Sequence, residues 1–228
     1  MRHYIVKLVL LLFTFTLSLH AQQSDFDGIN FWKSEHIAKQ YKGAELYNLP
    51  KLAYDLTSKL NTEAERFRAI YYWVCHNIRS ELNLMYKNER TRNKLKNDPE
   101  ALHLWNNQFK KEVFTRLLQK KETLCTGYAY LIKELSELAG LECKIIYGYG
   151  EENKAKFENI DAPNHSWNVV KLNGKWYLCD ATWSTGFIDM STFLFEFQFE
   201  DSYFLMEPSE FVKTHRPVDA EWTLVIQK

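Results

Sequence analysis

The apolar residues of this chain change their spacing three times. From Leu8 to Leu19 they are nearly continuous, interrupted only by threonine and serine. Between residues 52 and 78 they recur at helical intervals. Leu52, Leu56 and Leu60 follow Asn48-Leu49-Pro50, which reads as a helix start. Thr62-Glu63-Ala64-Glu65 is a capping box, and Phe67, Ile70, Tyr71, Val74 and Ile78 behind it form one apolar face, predicting a helix over 63–78. Residues 85–111 are the most charged part of the chain and read as a solvated helical excursion, because Asp98, Glu100 and other acids interrupt the basic residues. Leu131, Leu135 and Leu138 give the stripe of a helix over about 125–139, closed by Gly140 in a left-handed cap.

Beyond that glycine the period shortens. Cys143, Ile145 and Tyr147 alternate with Lys144, Ile146 and Gly148, which suits a strand. Residues 165–172 and 175–182 read as two strands joined by Asn173-Gly174, a strong hairpin signal. The aromatic stretch 192–228 predicts further strands. Helices first and an antiparallel sheet afterwards define an α+β class, a helical N-terminal half packed on the sheet. The expected organisation is a signal peptide over 1–21, a helical lead-in over 22–60 and one main domain over 61–228.

The N-terminal run carries its own prediction. Arg2 and Lys7 precede the apolar residues, and His20-Ala21-Gln22-Gln23 supplies a small residue before a polar stretch. That order is a secretory signal, and the apolar part is too short to span a bilayer. Cleavage after Ala21 leaves 207 residues with 27 basic and 29 acidic side chains, destined for secretion or a periplasm, with no stable membrane insertion. Such a balance gives no reason to expect nucleic acid as a partner.

Four cysteines remain: Cys75, Cys125, Cys143 and Cys179. No two form a C-x-x-C pair, so neither a zinc site nor any other metal or cofactor is expected. Export permits a disulfide, with Cys143 and Cys179 the first pair to consider, while buried free thiols are an equal alternative.

The hairpin supplies the chemistry. With Asn173-Gly174 as a two-residue loop, 172 faces 175, 167 faces 180 and 165 faces 182. Side chains alternate along strands, so His165 and Asp180 are diagonal cross-strand neighbours with Cβ atoms about 7 Å apart or less. An imidazole and a carboxylate can meet across that gap. Cys125 opens a predicted helix, where unpaired N–H groups and the helix dipole favour a thiolate. A nearby imidazolium favours it further, and a carboxylate fixes the imidazole.

Around these residues the sequence resembles the transglutaminase-like superfamily, with its papain-like core. Leu124-Cys125-Thr126-Gly127-Tyr128-Ala129, followed by Ala139-Gly140-Leu141 and Tyr147-Gly148-Tyr149, is similar to the C-x-G-Y-A nucleophile segment and the helix and strand behind it. Asn164-His165-Ser166-Trp167-Asn168-Val169-Val170 matches an N-H-x-W-N-x-V strand, and Trp176-Tyr177-Leu178-Cys179-Asp180-Ala181-Thr182-Trp183 a W-x-x-x-D-A-T-W strand. Tyr71-Tyr72-Trp73-Val74 resembles the first helix, though Arg79-Ser80 stand where an aromatic residue is usual. Tyr203-Phe204-Leu205, Pro208, Phe211, His215, Pro217 and Trp222 resemble the tail of the kyphoscoliosis-peptidase branch. The resemblance implies Cys125 as nucleophile, His165 as general base and acid, and Asp180 as its orienting partner. It also implies a thioester intermediate and a peptide or protein substrate, including cell-envelope peptides. Protein cross-linking with an amine acceptor and a non-catalytic scaffold on the same fold are the alternatives.

Other conspicuous residues have plainer readings. Trp167, Trp176 and Trp183 belong to the core or cleft walls, Trp183 being the best placed to line a cleft. Gln119 reads as solvated, His76 lacks further metal ligands, and His215 reads as structural. Asn164-His165-Ser166 is also a glycosylation sequon, where a glycan would obstruct the neighbouring His165.

Overall fold

The computed structural model of the chain describes residues 23–151, 163–189 and 191–225. The signal peptide expected over 1–21 lies outside them. A short 3-10 turn, Gln23–Phe26, leads into α1 (Trp32–Gln40) and α2 (Leu49–Thr57). The Asn48 side chain accepts from Lys51 N at the start of α2, as its sequence predicts. Next comes α3 (Glu63–Asn77), which carries the expected capping box: Glu65 N donates to Thr62 Oγ1 at 3.2 Å, and Thr62 N to the Glu65 carboxylate at 3.0 Å.

Where one apolar face was expected, α3 is buried almost all round, from Phe67 through Cys75. It is the central helix, with α1, α2, α6 (Cys125–Leu138) and α7 (Ala181–Thr185) packed about it. Burial on that scale traps a cation, Arg68. Its guanidinium donates to Glu35 of α1 at 2.6 and 3.1 Å and also holds Asp201, over the Phe204 ring. This buried cation ties the lead-in and the C-terminal segment to the same helix.

The charged excursion is two helices, α4 (Leu82–Leu95) and α5 (Pro99–Lys120), broken where Asp98 caps the second by accepting from Ala101 N at 3.0 Å. They meet over a small core of Leu84, Phe109 and Val113. At their base β1 (Arg79–Ser80) pairs in parallel with β2 (Glu122–Thr123), so the excursion leaves and returns at one point.

The main sheet is antiparallel with strand order β5-β4-β3-β8: β3 is Cys143–Gly150, β4 His165–Leu172, β5 Lys175–Cys179 and β8 His215–Pro217. β4 and β5 keep the predicted register, Leu172 opposite Lys175 and Asn168 opposite Cys179. Asn173 and Gly174 both take positive φ in the turn, 51° and 81°, as a two-residue hairpin loop of this kind requires. α6 covers one face, with Asn168 Nδ2 donating to Ala129 O at 3.0 Å. The other face holds Ile146, Trp167, Val169 and Leu178 beneath Phe211 of α8 (Pro208–Phe211). The simple alternation expected in β3 fails: Ile146 is buried on the face under Phe211, and Tyr147 is exposed near the end of the strand.

One further expectation changes and one holds in part. The strand expected over 175–182 stops at Cys179, because Asp180 turns its carboxylate onto Thr182 N and Trp183 N and starts α7 instead. The C-terminal stretch adds β6 (Gly186–Asp189) with β7 (Leu194–Phe197), and β8, but is otherwise turns and the short α8. All four cysteines are free. Cys143 and Cys179 lie on strands either side of β4, about 9–10 Å apart by strand spacing, beyond the reach of a disulfide.

The docking of β8 depends on a glycine. A methyl group at Gly148 would stand 2.3 Å from Arg216 O and 2.5 Å from Trp167 Cη2. Gly148→Ala should therefore cost about 1–3 kcal/mol in chemical denaturation, whereas alanine at Gly28, which has open space around it, should be tolerated.

Candidate active site

Cys125 is set by the junction of β2 and α6. Leu124 is extended, and α6 begins at the next residue. Gly127 lets the first turn fold onto β2: a Cβ there would lie 1.9 Å from Thr123 Oγ1. Tyr128 then donates to Ile78 O at 3.0 Å, anchoring the turn to the end of α3. The thiol thus stands at the positive end of a 14-residue helix.

His165 opens β4, opposite Gly148 of β3. Its Nε2 lies 2.6 Å from Asp180 Oδ2, which leaves Nδ1 for the thiol of Cys125. Asp180 is held on every side. Its Oδ1 accepts from Thr182 N at 2.8 Å and Trp183 N at 3.2 Å, and its Oδ2 accepts from His165 Nε2 and from His215 Nε2 at 3.0 Å. The carboxylate and His215 are buried, and the His165 side chain is 8% exposed.

These contacts set the charges. Burial alone would push the Asp180 carboxyl up, but His165 and His215 overcome it and hold it well below the usual carboxylate range. Burial works against the charged form of His165 too, yet the Asp180 charge raises it to about 10. At Cys125 burial opposes the thiolate, and His165, with the Ser166 backbone beside it, outweighs that and lowers the thiol. Burial raises the other three thiols, Cys143 to about 12. Of the four thiols, only Cys125 is shifted toward the thiolate, by the His165 imidazole beside it.

The structure brings together all three residues singled out in the sequence, Cys125, His165 and Asp180. Asp180 reaches His165 although the strand has ended before it, since the helix cap holds the carboxylate toward β4. Trp183 is half-buried with its ring 5.5 Å from His165, on the wall of the site. Gln119 is exposed on α5. His76 bonds the Tyr72 carbonyl and stacks on its ring. The Asn164 amide is engaged with Gly150 N and Gly150 O at 2.9 and 3.1 Å.

His215, which reads as structural in the sequence, sits against Asp180, a contact no sequence pattern signals. His165, Asp180 and His215 also form a group with ligand atoms within 4.8 Å of one another. Two of those separations, 2.6 and 3.0 Å, are shorter than the roughly 3.3 Å edge of a tetrahedral site with bonds of about 2 Å, so the arrangement is that of hydrogen bonds.

The sequence model of the transglutaminase-like superfamily matches residues 50–181, which include Cys125, His165 and Asp180. The chain belongs to the transglutaminase-like superfamily. It is 31% identical over 218 residues to human kyphoscoliosis peptidase, covering 92% of this chain and 28% of that protein. It is 24% identical to Hillarin of Drosophila melanogaster, over 87% of this chain and 23% of the relative. The chain thus spans about a quarter of the length of these relatives. A solved structure described as a TGase aligns with 67% of this chain and 32% of its own at 13% identity and a TM-score of 0.37. Superfamily members are generally catalytic, as cysteine peptidases or acyltransferases.

The charge pairing makes stability depend on pH in both directions. The lowered Asp180 contributes above the ordinary carboxylate range and loses its contribution as pH falls through its folded value. The raised His165 contributes fully below about 6.5 and loses its share as pH rises toward about 10. Asp180→Asn should cost about 3 kcal/mol. Urea midpoints across the pH range should show the gap from wild type widest between about pH 4 and 6.5 and narrowing on either side.

Proposed function

We propose that the chain is an exported thiol-dependent amide hydrolase, acting through a thioester on a peptide or cell-envelope peptide. The observation that carries this reading is the meeting of Cys125 at the start of α6 with His165, itself hydrogen-bonded by the buried Asp180. The Cys125 thiolate attacks the amide carbonyl carbon, and the Cys125 backbone N–H, free of an intrahelical partner at the first helical position, supports the oxyanion. As the tetrahedral adduct collapses, the His165 imidazolium gives its proton to the leaving amine, and a thioester remains. The neutral His165 then takes a proton from water, whose oxygen attacks the thioester, releases the acid and restores the thiolate–imidazolium pair. Asp180 keeps the imidazole in one tautomer and supports its charge through both steps. An amine in place of water would give transamidation by the same residues. The name of the human relative, kyphoscoliosis peptidase, favours hydrolysis.

Export rests on the N-terminal order of basic, apolar and small residues, and protein recovered from a secreting host should begin at Gln22.

Alkylation tests the nucleophile. Under native conditions iodoacetamide should modify Cys125 well ahead of Cys75, Cys143 and Cys179, which are buried. His165→Ala should slow the Cys125 reaction about a hundredfold. Peptide mass mapping reads both. Equal labelling of the four thiols, or a Cys125 rate indifferent to His165→Ala, would leave the fold without a working nucleophile and favour a binding role.

A further inference from the structure

We propose that His215 is a positioning residue of this site: its Nε2–H fixes the Asp180 carboxylate toward His165, across a strand end that Gly148 and Gly150 keep clear of side chains. The inference deepens the reading of Cys125, His165 and Asp180 as the reacting groups and rests on it.

The sheet places the two histidines on strands that flank β3. His165 stands opposite Gly148 on one side, and His215 opposite Gly150 on the other. Positions two apart on a strand share a face, as do directly paired residues, so Gly148, Gly150, His165 and His215 all lie on one face of the sheet. Strands either side of a third are about 9–10 Å apart. Yet the two imidazole centroids are only 5.5 Å apart, and both Nε2 atoms reach the same carboxylate oxygen. A side chain on the intervening strand would block that approach. A Cβ at Gly150 would lie 2.8 Å from His165 Cδ2, and one at Gly148 2.5 Å from Trp167 Cη2. Gly150 therefore leaves room for the His165 ring beside His215, while Gly148 lets β8 and Trp167 close on β3.

The surroundings of His215 fix its tautomer. Phe211 stacks on it at 3.9 Å and Trp183 lies at 4.4 Å, leaving it 0% exposed. Its Nδ1 is 2.8 Å from Thr214 Oγ1, whose hydroxyl can donate there. Its Nε2 faces a carboxylate oxygen and must carry a proton. The titratable groups that face it are Asp180 at the start of α7, His165 on β4 and, at 6.2 Å between rings, Tyr203. Burial lowers its proton affinity more than Asp180 raises it, which favours the neutral ring. It thus supplies a donor to the carboxylate without adding a second positive charge beside His165. With two backbone amides on Oδ1 and two imidazoles on Oδ2, Asp180 has no freedom to turn away.

Two measurements on the purified full chain test this. Long-range proton–nitrogen correlation of histidine-labelled wild-type protein should show His215 as the neutral Nε2–H tautomer between about pH 5 and 8. An Nδ1–H tautomer, or free titration near 6.5, would overturn the proposal. The second is the pH profile of Cys125 alkylation. His215→Leu removes the donor that fixes Asp180 Oδ2, so the carboxylate is free to turn from His165 and supports its imidazolium less. The acid limb should move up by about one pH unit, a tenfold loss of rate on its slope. His215→Gln, which keeps an N–H at the end of the side chain, should restore most of it. If wild type shows no thiolate limb below the ordinary cysteine range, the catalytic reading itself fails. If wild type shows the limb and the Leu variant keeps it unmoved, only the role of His215 fails. Should His215→Leu not fold, the tautomer measurement on wild type decides alone.

Discussion

A buried carboxylate must have its charge answered, and in this protein four hydrogen bonds to Asp180 do so. They come from three different elements. Two are backbone amides at the start of α7, one is the histidine that opens β4, and one is the histidine on edge strand β8. Leaving such a charge unpaired would cost several kcal/mol, so the helix cap, the hairpin and the C-terminal strand are energetically bound to the same atom pair. The same requirement explains why the β5 strand stops at Cys179: continuing it would turn the Oδ1 acceptor away from the amides that satisfy it.

The nucleophile comes from the other layer of the fold. Cys125 is carried by α6, which lies on the sheet and on α3, while its partner is carried by the sheet itself. Close backbone approaches bring the layers into register. Gly127 lets the first turn of α6 touch Thr123, and Gly148 and Gly150 let β8, Trp167 and His165 crowd the end of β3. Each is a position where a single added carbon would open the site. Around it the aromatic residues Trp167, Trp183 and Phe211 exclude water from the carboxylate end, which strengthens its pull on the imidazole.

Outside the site, the chain places charge where it binds elements together or solvates them. Arg68 is a buried cation matched by two carboxylates, Glu35 and Asp201, and it ties the first helix to the segment that follows β7. By contrast α4 and α5 are mostly exposed and carry their charges to solvent. Their small core and the β1–β2 pair attach them just before Cys125, and Arg92 bonds Pro163 O at 3.1 Å, two residues before His165. The excursion therefore flanks the segments that carry both the thiol and the imidazole.

Much of this was legible in the sequence, because it rests on local rules. The capping box at Thr62, the Asn48 and Gly140 helix boundaries and the Asn173-Gly174 turn are decided within a few residues, and the turn fixed the register that brings His165 near Asp180. The transglutaminase-like motifs then pointed to Cys125. What the sequence could not decide depends on what covers each surface. Whether Ile146 of β3 would be buried turned on the face under Phe211, whether Cys143 could reach Cys179 turned on the strand order, and whether residues 180–182 would extend or coil turned on where the Asp180 carboxylate found its donors. His215 lies 35 residues beyond Asp180 and shares no local pattern with it. Only the pairing of β8 on the glycine end of β3 makes them neighbours, because that contact is a property of packed strands and leaves no periodic trace along the chain.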